Sequence, residues 1–163
     1  MRASFTLPDR PSLAARLSEN GWLRLEAVAP AELCQALLAT AASAKWTTRS
    51  GPGHSLDMAP LEAPDIAAGL GASTLQLIRH APGQYGLPPV GAAGPGLLLD
   101  LNHDWPSHHG GLVMVEDDGQ LRGWRPQAGA LMMFQASRPP LLTMVTPSAL
   151  TPRLALFGCL DGA

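Results

Sequence analysis

Short apolar runs separated by turn residues fill the second half of the chain, and they restrict its fold more than any other feature. The runs recur about every 8–12 residues, which predicts short antiparallel strands in a sandwich or barrel. A parallel sheet would need long crossover helices between its strands. Asp117-Asp118-Gly119, between two of the runs, predicts a hairpin turn. The runs are 74–79, 97–102, 112–116, 121–124, 130–135, 141–146 and 153–160.

The first half is predicted to be mainly helical. Apolar residues at helical spacing indicate helices over 11–20 and 30–44, and the alternation in 22–28 indicates a strand between them. The segment 47–64 is rich in Ser, Gly and Pro and is predicted to be a loop, followed by a short helical turn at 65–71.

Helices followed by antiparallel strands indicate an α+β fold that is mostly β. The chain is expected to be a single domain over 1–163, since its length suits one domain and no boundary is visible. Residues 1–72 would supply helices, one strand and loops, and 73–163 would form the β core.

Composition excludes several classes of function. The chain has 11 Lys+Arg and 13 Asp+Glu among 163 residues, so we expect no nucleic-acid or membrane partner. The 17 Gly and 16 Pro argue against a helical bundle or coiled coil. Two cysteines are too few for a disulfide scaffold, and no apolar run is long enough for a membrane span or a signal peptide. A cytoplasmic protein is expected, and abundant Ala, Gly, Pro and Arg with one Lys suggest a bacterial source.

Alternation in the last run places an arginine on an apolar face. Arg153, Ala155, Phe157 and Cys159 share one side of 153–160, and the intervening residues share the other. Both sides are largely apolar, which predicts a central strand covered on one face and lining an interior on the other. An arginine on such a face needs an anion or an exposed strand end.

Five segments between residues 75 and 160 form an ordered set of motifs. They are 81–88 (APGQYGLP), 97–105 with 110–112 (LLLDLNHDW and GGL), 126–134 (PQAGALMMF), 144–147 (MVTP) and 153–158 (RLALFG). Together they resemble motifs of the 2-oxoglutarate/Fe(II)-dependent oxygenases, in the prolyl-hydroxylase-like branch. The first segment resembles the one that leads into that family's metal motif. The other four resemble, in order, the family's motifs YLN-x-x-W…GG-x-L, P-x-x-G-x-L-x-x-F, H-x-V-x-P and R-x-x-x-x-G-W. The resemblance implies a double-stranded β-helix, a jelly-roll or cupin-like barrel supported by N-terminal helices.

The family's iron ligands are missing from the matching positions. The H-x-D motif of the family falls on Pro89, Val90 and Gly91, and its distal histidine falls on Thr143. No H-x-D or H-x-E occurs in the chain, and no histidine follows His109. Proline and glycine have no side-chain donor and a neutral hydroxyl is a poor iron ligand, so no metal ligand and no catalytic residue is predicted.

The resemblance places Arg153 at the family's 2-oxoglutarate-binding arginine. Two interpretations remain open for it: a pair with a nearby carboxylate or carbonyl of the chain, or a surviving site for a small carboxylate. Tyr85 is the second candidate cofactor-binding residue, because it would line the same pocket, although a tyrosine in a Gly/Pro turn is also a common structural feature.

One other cluster contains metal-ligand residue types: His103, Asp104, His108 and His109. Imidazoles and a carboxylate bind zinc or nickel, but the spacing matches no closed site, and a turn explains the segment as well.

The remaining histidines and cysteines are expected to be structural. His54 and His80 are predicted to be solvated beside loops. Cys34 and Cys159 are predicted to pack as small hydrophobes, because no base or basic side chain flanks them.

Three functions remain open. The first is a degenerate oxygenase-like protein without iron, cofactor or hydroxylase activity, which binds a small carboxylate or a protein partner, either an active relative or itself. The second is an active 2-oxoglutarate-dependent dioxygenase whose atypical metal site lies on the 103–109 loop; its histidines would then point into the barrel. The third is a cupin-like binding module, which is favoured if Arg153 does not face the barrel interior.

Overall fold

The computed structural model describes residues 4–89 and 94–160. Over these residues the chain forms three α-helices, ten strands and a 3-10 turn at Ser107–His109. The helices are α1 (Arg10–Asn20), α2 (Ala31–Ser43) and α3 (Pro64–Leu70). The strands are β1 (Trp22–Leu25), β2 (Thr47–Gly51), β3 (His54–Pro60), β4 (Ala72–His80), β5 (Gly96–Asp100), β6 (Val113–Asp117), β7 (Gln120–Trp124), β8 (Leu131–Phe134), β9 (Leu141–Leu142) and β10 (Arg153–Leu160).

The strands form two antiparallel sheets. The large sheet has seven strands in the order β1-β8-β5-β10-β4-β3-β2, and the small sheet has three in the order β7-β6-β9. Strands β1, β2 and β3 from the first part of the chain therefore share one sheet with the later strands. The predicted α+β, mostly β class is confirmed.

Two helices cover the outer face of the large sheet. Leu13 and Leu17 of α1 and Leu33 and Leu37 of α2 are buried in one cluster with leucines of the large sheet. None of the three helices in the described residues is long and apolar enough to cross a membrane.

The inner face of the large sheet packs against the small sheet. Val113, Val115 and Leu142 of the small sheet meet apolar side chains of the large sheet in a second buried cluster. We call this cluster the inter-sheet core; its other members are Leu56, Ile78, Leu98, Met132, Phe134, Ala155 and Phe157. These side chains form the apolar part of the barrel interior.

The predicted faces of the last strand are confirmed. Ala155 and Phe157 belong to the inter-sheet core, whereas Leu156 and Leu154 pack on the helix side. Alternation places Arg153 on the side of Ala155, facing the barrel interior.

The loop predicted over 47–64 is wrong, because much of it is a hairpin of β2 and β3. The two strands pair antiparallel from Thr47 opposite Met58 to Gly51 opposite His54. Strand β2 is the edge of the large sheet and is mostly exposed, so it lacks the apolar alternation that reveals a strand.

The strand predicted over 141–146 is shorter than expected. Only Leu141–Leu142 joins a ladder, opposite β6. Beyond it the chain stays bonded to loops, since Thr143 N–H donates to Leu112 O and Val145 N–H donates to Gln84 O.

Candidate functional site

A buried ion pair lies at one end of the inter-sheet core. Arg153, the first residue of β10, has no exposed surface, and Asp100, the last residue of β5, is 2% exposed. The register sets Asp100 opposite Ala155, on the same face as Arg153. Arg153 Nη2 donates a hydrogen bond to Asp100 Oδ1. The anion that this arginine requires is therefore supplied by the chain itself.

Burial and charge act on this pair in opposite directions. Burial raises the pKa of the Asp100 carboxyl and lowers the pKa of the Arg153 guanidinium, while each charge favours the ionised form of its partner. Removing either group would leave the other charged in a low-dielectric interior, which is costly.

Arg24 of β1 brings a second guanidinium to the same carboxylate. Its Nη1 lies 3.8 Å from Asp100 Oδ2, and its side chain is 6% exposed. Its guanidinium carbon lies 5.6 Å from the centre of the Trp124 ring, a cation–π distance, and Trp124 in turn lies 5.3 Å from Trp22. Two buried cations thus share one anion, which leaves a formal charge of about +1 on the cluster of Arg24, Asp100 and Arg153.

His80 is buried beside this cluster, so the prediction that it is solvated is wrong. It lies opposite Arg153 in the β4–β10 register and has no exposed surface. Its Nε2 lies 2.7 Å from Gly86 O, and we assign the proton to Nε2, because a carbonyl oxygen only accepts hydrogen bonds. Burial, followed by the charge of Arg153, lowers the pKa of His80 to about 3. The ring is therefore neutral near pH 7.

Tyr85, the second candidate cofactor-binding residue, lies in a different environment. Its side chain is 40% exposed, and its backbone forms an antiparallel bridge with Ser55. Within the described residues no hydrogen bond joins the exposed Tyr85 to the buried Arg153, and the assignment of Tyr85 to a cofactor stays a prediction.

Thr143, at the position of the family's distal iron ligand, forms a hydrogen bond with the backbone. Thr143 Oγ1 accepts a hydrogen bond of 2.8 Å from Leu112 N–H. Of the three residues at the H-x-D position, Pro89 is exposed, while Val90 and Gly91 lie outside the described residues.

The histidines of the 103–109 loop do not converge. His103 and His108 are exposed, whereas His109 is buried and meets Trp105 edge to face at 5.4 Å. Across residues 4–89 and 94–160, no group of three or more His, Cys, Asp or Glu side chains is arranged to hold a metal ion.

The cysteines are separate and reduced. Cys34 is fully buried in the cluster between the helices and the large sheet, which we call the helix-side cluster, and Cys159 is half-buried. Burial raises the pKa of the Cys34 thiol, which disfavours the reactive thiolate.

Solved structures resemble the chain over nearly its whole length, although no protein-family model and no curated protein sequence matches it. A prolyl-4-hydroxylase from Pseudomonas putida has a TM-score of 0.70 at 19% identity, covering 93% of this chain and 98% of the other. A prolyl hydroxylase from Trichoplax adhaerens, in complex with a hypoxia inducible factor peptide fragment, has a TM-score of 0.70 at 13% identity, covering 94% of each chain. An oxidoreductase of the 2OG-Fe(II) oxygenase family from Burkholderia pseudomallei has a TM-score of 0.63 at 14% identity, covering 98% and 95%.

The chain has the fold of the 2-oxoglutarate/Fe(II) oxygenases. The predicted double-stranded β-helix is thereby confirmed. Within this oxygenase fold, Asp100 stands where the YLN-x-x-W motif has its tyrosine, so the residue that neutralises Arg153 is itself a departure from the motif.

An Fe(II) ion does not fit the residues that the described part of this oxygenase fold offers it. The distal position holds a neutral hydroxyl that already accepts a hydrogen bond from a backbone N–H. Iron in such proteins is held by imidazole and carboxylate ligands, and none converge in the described residues.

Sequence reasoning identified Arg153 but missed Asp100, Arg24 and His80. Asp100 is the acidic residue in the otherwise apolar run 97–101, and a lone charge at a predicted core position is a signal that a partner is buried with it. The partner itself was not predictable, because Arg153 lies 53 positions further along the chain.

Proposed function

We propose that the chain is a non-hydroxylating protein of the oxygenase fold, which holds neither Fe(II) nor 2-oxoglutarate in the barrel and acts as a small-carboxylate-binding module. The observation that carries this proposal is the buried pair of Arg153 and Asp100. The arginine that the resemblance assigns to the cofactor already has an internal carboxylate as its partner.

This pair opposes binding of a cofactor carboxylate at Arg153. An incoming carboxylate that took the Nη2 of Arg153 would have to displace Asp100, which is 2% exposed, and the unpaired Nε and Nη1 of Arg153 are themselves buried. Asp100 would then stay charged without Arg153 or take up a proton, and breaking a buried ion pair typically costs about 3–5 kcal/mol. Without an iron ion to chelate the other end of 2-oxoglutarate, nothing offsets that cost.

Of the two non-catalytic roles expected from the sequence, carboxylate binding is favoured by the charges. The cluster of Arg24, Asp100 and Arg153 carries one more cation than anion. The alternative of an active dioxygenase finds no support on the 103–109 loop, since His103 and His108 are exposed and His109 packs on Trp105.

Anaerobic calorimetry with Fe(II), and with Mn(II) as its redox-silent substitute, tests the proposal. We expect no stoichiometric metal binding with or without 2-oxoglutarate, and no succinate formed in air. The Pseudomonas putida prolyl-4-hydroxylase serves as the positive control. Metal binding near micromolar Kd, about 8 kcal/mol, or succinate formation above the protein-free rate would overturn it.

A further inference from the structure

A solvent-open cleft of about 800 Å³ adjoins the buried charges. Its walls are the segments 102–106 and 123–128, with Arg24 between them, and we call it the Arg24 cleft. Pockets for small organic ligands commonly have volumes of about 300–1,000 Å³. The Arg24 cleft is therefore large enough for an organic molecule, and larger than an inorganic ion requires.

The buried cluster is short of hydrogen-bond acceptors. The Nε of Arg24 and the Nε and Nη1 of Arg153 are buried without a hydrogen-bond partner in the described residues. The sole carboxylate, Asp100, also accepts from the backbone of Gln127. Because unpaired buried donors are costly, an additional acceptor close to Arg24 would be stabilising.

The walls of the Arg24 cleft add positive charge and aromatic surface. Two arginines line the cleft, Arg24 and the exposed Arg125, whereas Asp104 is the one acidic residue among its lining residues. Trp105 and Trp124 supply indole rings, and the Trp105 Nε1–H is already donated to Gly110 O. The half-buried Trp124 ring thus offers apolar surface to the body of a ligand, while the guanidiniums attract its charge.

Arg24 is held in place before any ligand arrives. Its stacking on Trp124 and its ion pair with Asp100 fix the guanidinium from two sides. A preorganised guanidinium loses little conformational entropy when it binds a planar carboxylate.

We propose that the Arg24 cleft binds a small organic carboxylate, whose charge completes the neutralisation of the cluster of Arg24, Asp100 and Arg153. This inference rests on the proposed function and specifies its ligand and its site. The site differs from the seat that the resemblance assigns to 2-oxoglutarate, because Arg153 is not among the residues that line the cleft.

Calorimetry and tryptophan fluorescence in EDTA, at constant ionic strength, test this site with 2-oxoglutarate, succinate and benzoate as probes. Inorganic phosphate at the same ionic strength separates a carboxylate from any other oxyanion. We expect saturable binding of at least one carboxylate, with a change in indole emission, and no comparable binding of phosphate. No saturable carboxylate binding, or equally tight phosphate binding, would overturn the proposal.

Arg24→Gln and Arg122→Gln form a matched pair of variants. Arg24→Gln leaves one guanidinium on one carboxylate, so the fold should be retained, and carboxylate affinity should fall about tenfold or more. Arg122 lies on β7 near Trp124 but is exposed and paired with Asp117 at 2.9 Å, so its variant should bind like the parent. Unchanged binding by folded Arg24→Gln would contradict the assignment.

The two proposals fail in different ways. Succinate formation with Fe(II) overturns the proposed function whatever the cleft binds. Absence of carboxylate binding, together with absence of turnover, overturns the Arg24 cleft and the carboxylate-binding role, and leaves standing the proposal that the chain is non-hydroxylating.

Discussion

At the scale of single residues, Asp100 determines how Arg153 is used. Both side chains are buried, and their hydrogen bond joins the ends of two neighbouring strands, β5 and β10. With Arg24 also close, Asp100 is the shared counter-ion of two guanidiniums. The carboxylate therefore has a structural role that a tyrosine at the same position would not fill.

Asp100→Ala is expected to destabilise the protein by about 3–5 kcal/mol, because it leaves two buried cations without their anion. Acetate should restore part of the lost stability, because it can occupy the space that the aspartate side chain vacates. The comparison is the free energy of unfolding in acetate and in chloride at equal ionic strength. Urea unfolding with each salt measures both effects.

Asp57→Ala is the control for that experiment. Asp57 is also buried and pairs with an arginine at 2.8 Å, but the Arg79 side chain is 33% exposed and is solvated when its partner is lost. Acetate should not stabilise this variant. A gain from acetate of the same size in both variants, or none in Asp100→Ala, contradicts the role assigned to Asp100.

Stability should decrease as the pH falls from 7 to 5, because His80 is neutral in the folded state and takes up a proton when the chain unfolds. Its pKa is lowered to about 3 from the ordinary 6.5 by burial and by the charge of Arg153, while the hydrogen bond to Gly86 and the charge of Asp57 oppose the shift. Between these two pKa values the unfolded state therefore binds more protons than the folded state. The free energy of unfolding is expected to fall by about 2 kcal/mol as the pH is lowered from 7 to 5. Urea unfolding across the pH range checks the slope.

His80→Gln should remove this pH dependence, since glutamine can still donate to Gly86 O but does not titrate. His54→Gln is the comparison, because His54 is half-exposed. The same slope in the parent and in His80→Gln would show that another group is responsible.

At the scale of elements, the sequence predicted strands well where an apolar run marks them and poorly where none does. The runs that became β4, β5 and β10 alternate between two cores, and the Asp118-Gly119 turn between β6 and β7 has positive φ at both residues, as a type I′ hairpin requires. The β2–β3 hairpin was missed because its edge strand is polar and exposed. Non-local partners, such as Asp100 for Arg153, leave no periodic signal in the sequence.

The turn that follows β4 depends on a glycine. Gly86 has φ +76°, and a Cβ there would meet the Gly53 carbonyl oxygen. Gly83 has φ +88° but open space around it. Both alanine variants would carry the strain of a positive φ, but only Gly86→Ala would also clash with a neighbouring backbone atom. Gly86→Ala should therefore lower the free energy of unfolding by about 1–3 kcal/mol more than Gly83→Ala does. Urea midpoints that agree for the two variants would rule out the close approach.

At the scale of the whole molecule, the barrel is stabilised by two cores on opposite faces of one sheet. The helix-side cluster is what the sequence predicted from α1, α2 and the apolar strands. The inter-sheet core packs the inner face of the large sheet against the small sheet.

Adjacent residues of β5 test whether the interior is a core or a cavity. Leu98 faces the small sheet and Leu99 faces the helices, and both are buried almost completely. In a packed interior Leu98→Ala costs about 2–5 kcal/mol, the same range as Leu99→Ala, because each removes buried methyl groups and leaves a void. In an interior shaped as a ligand cavity, Leu98→Ala would cost far less than Leu99→Ala. Urea unfolding of the two variants decides between these interiors, and comparable losses support a barrel that is filled by its own side chains.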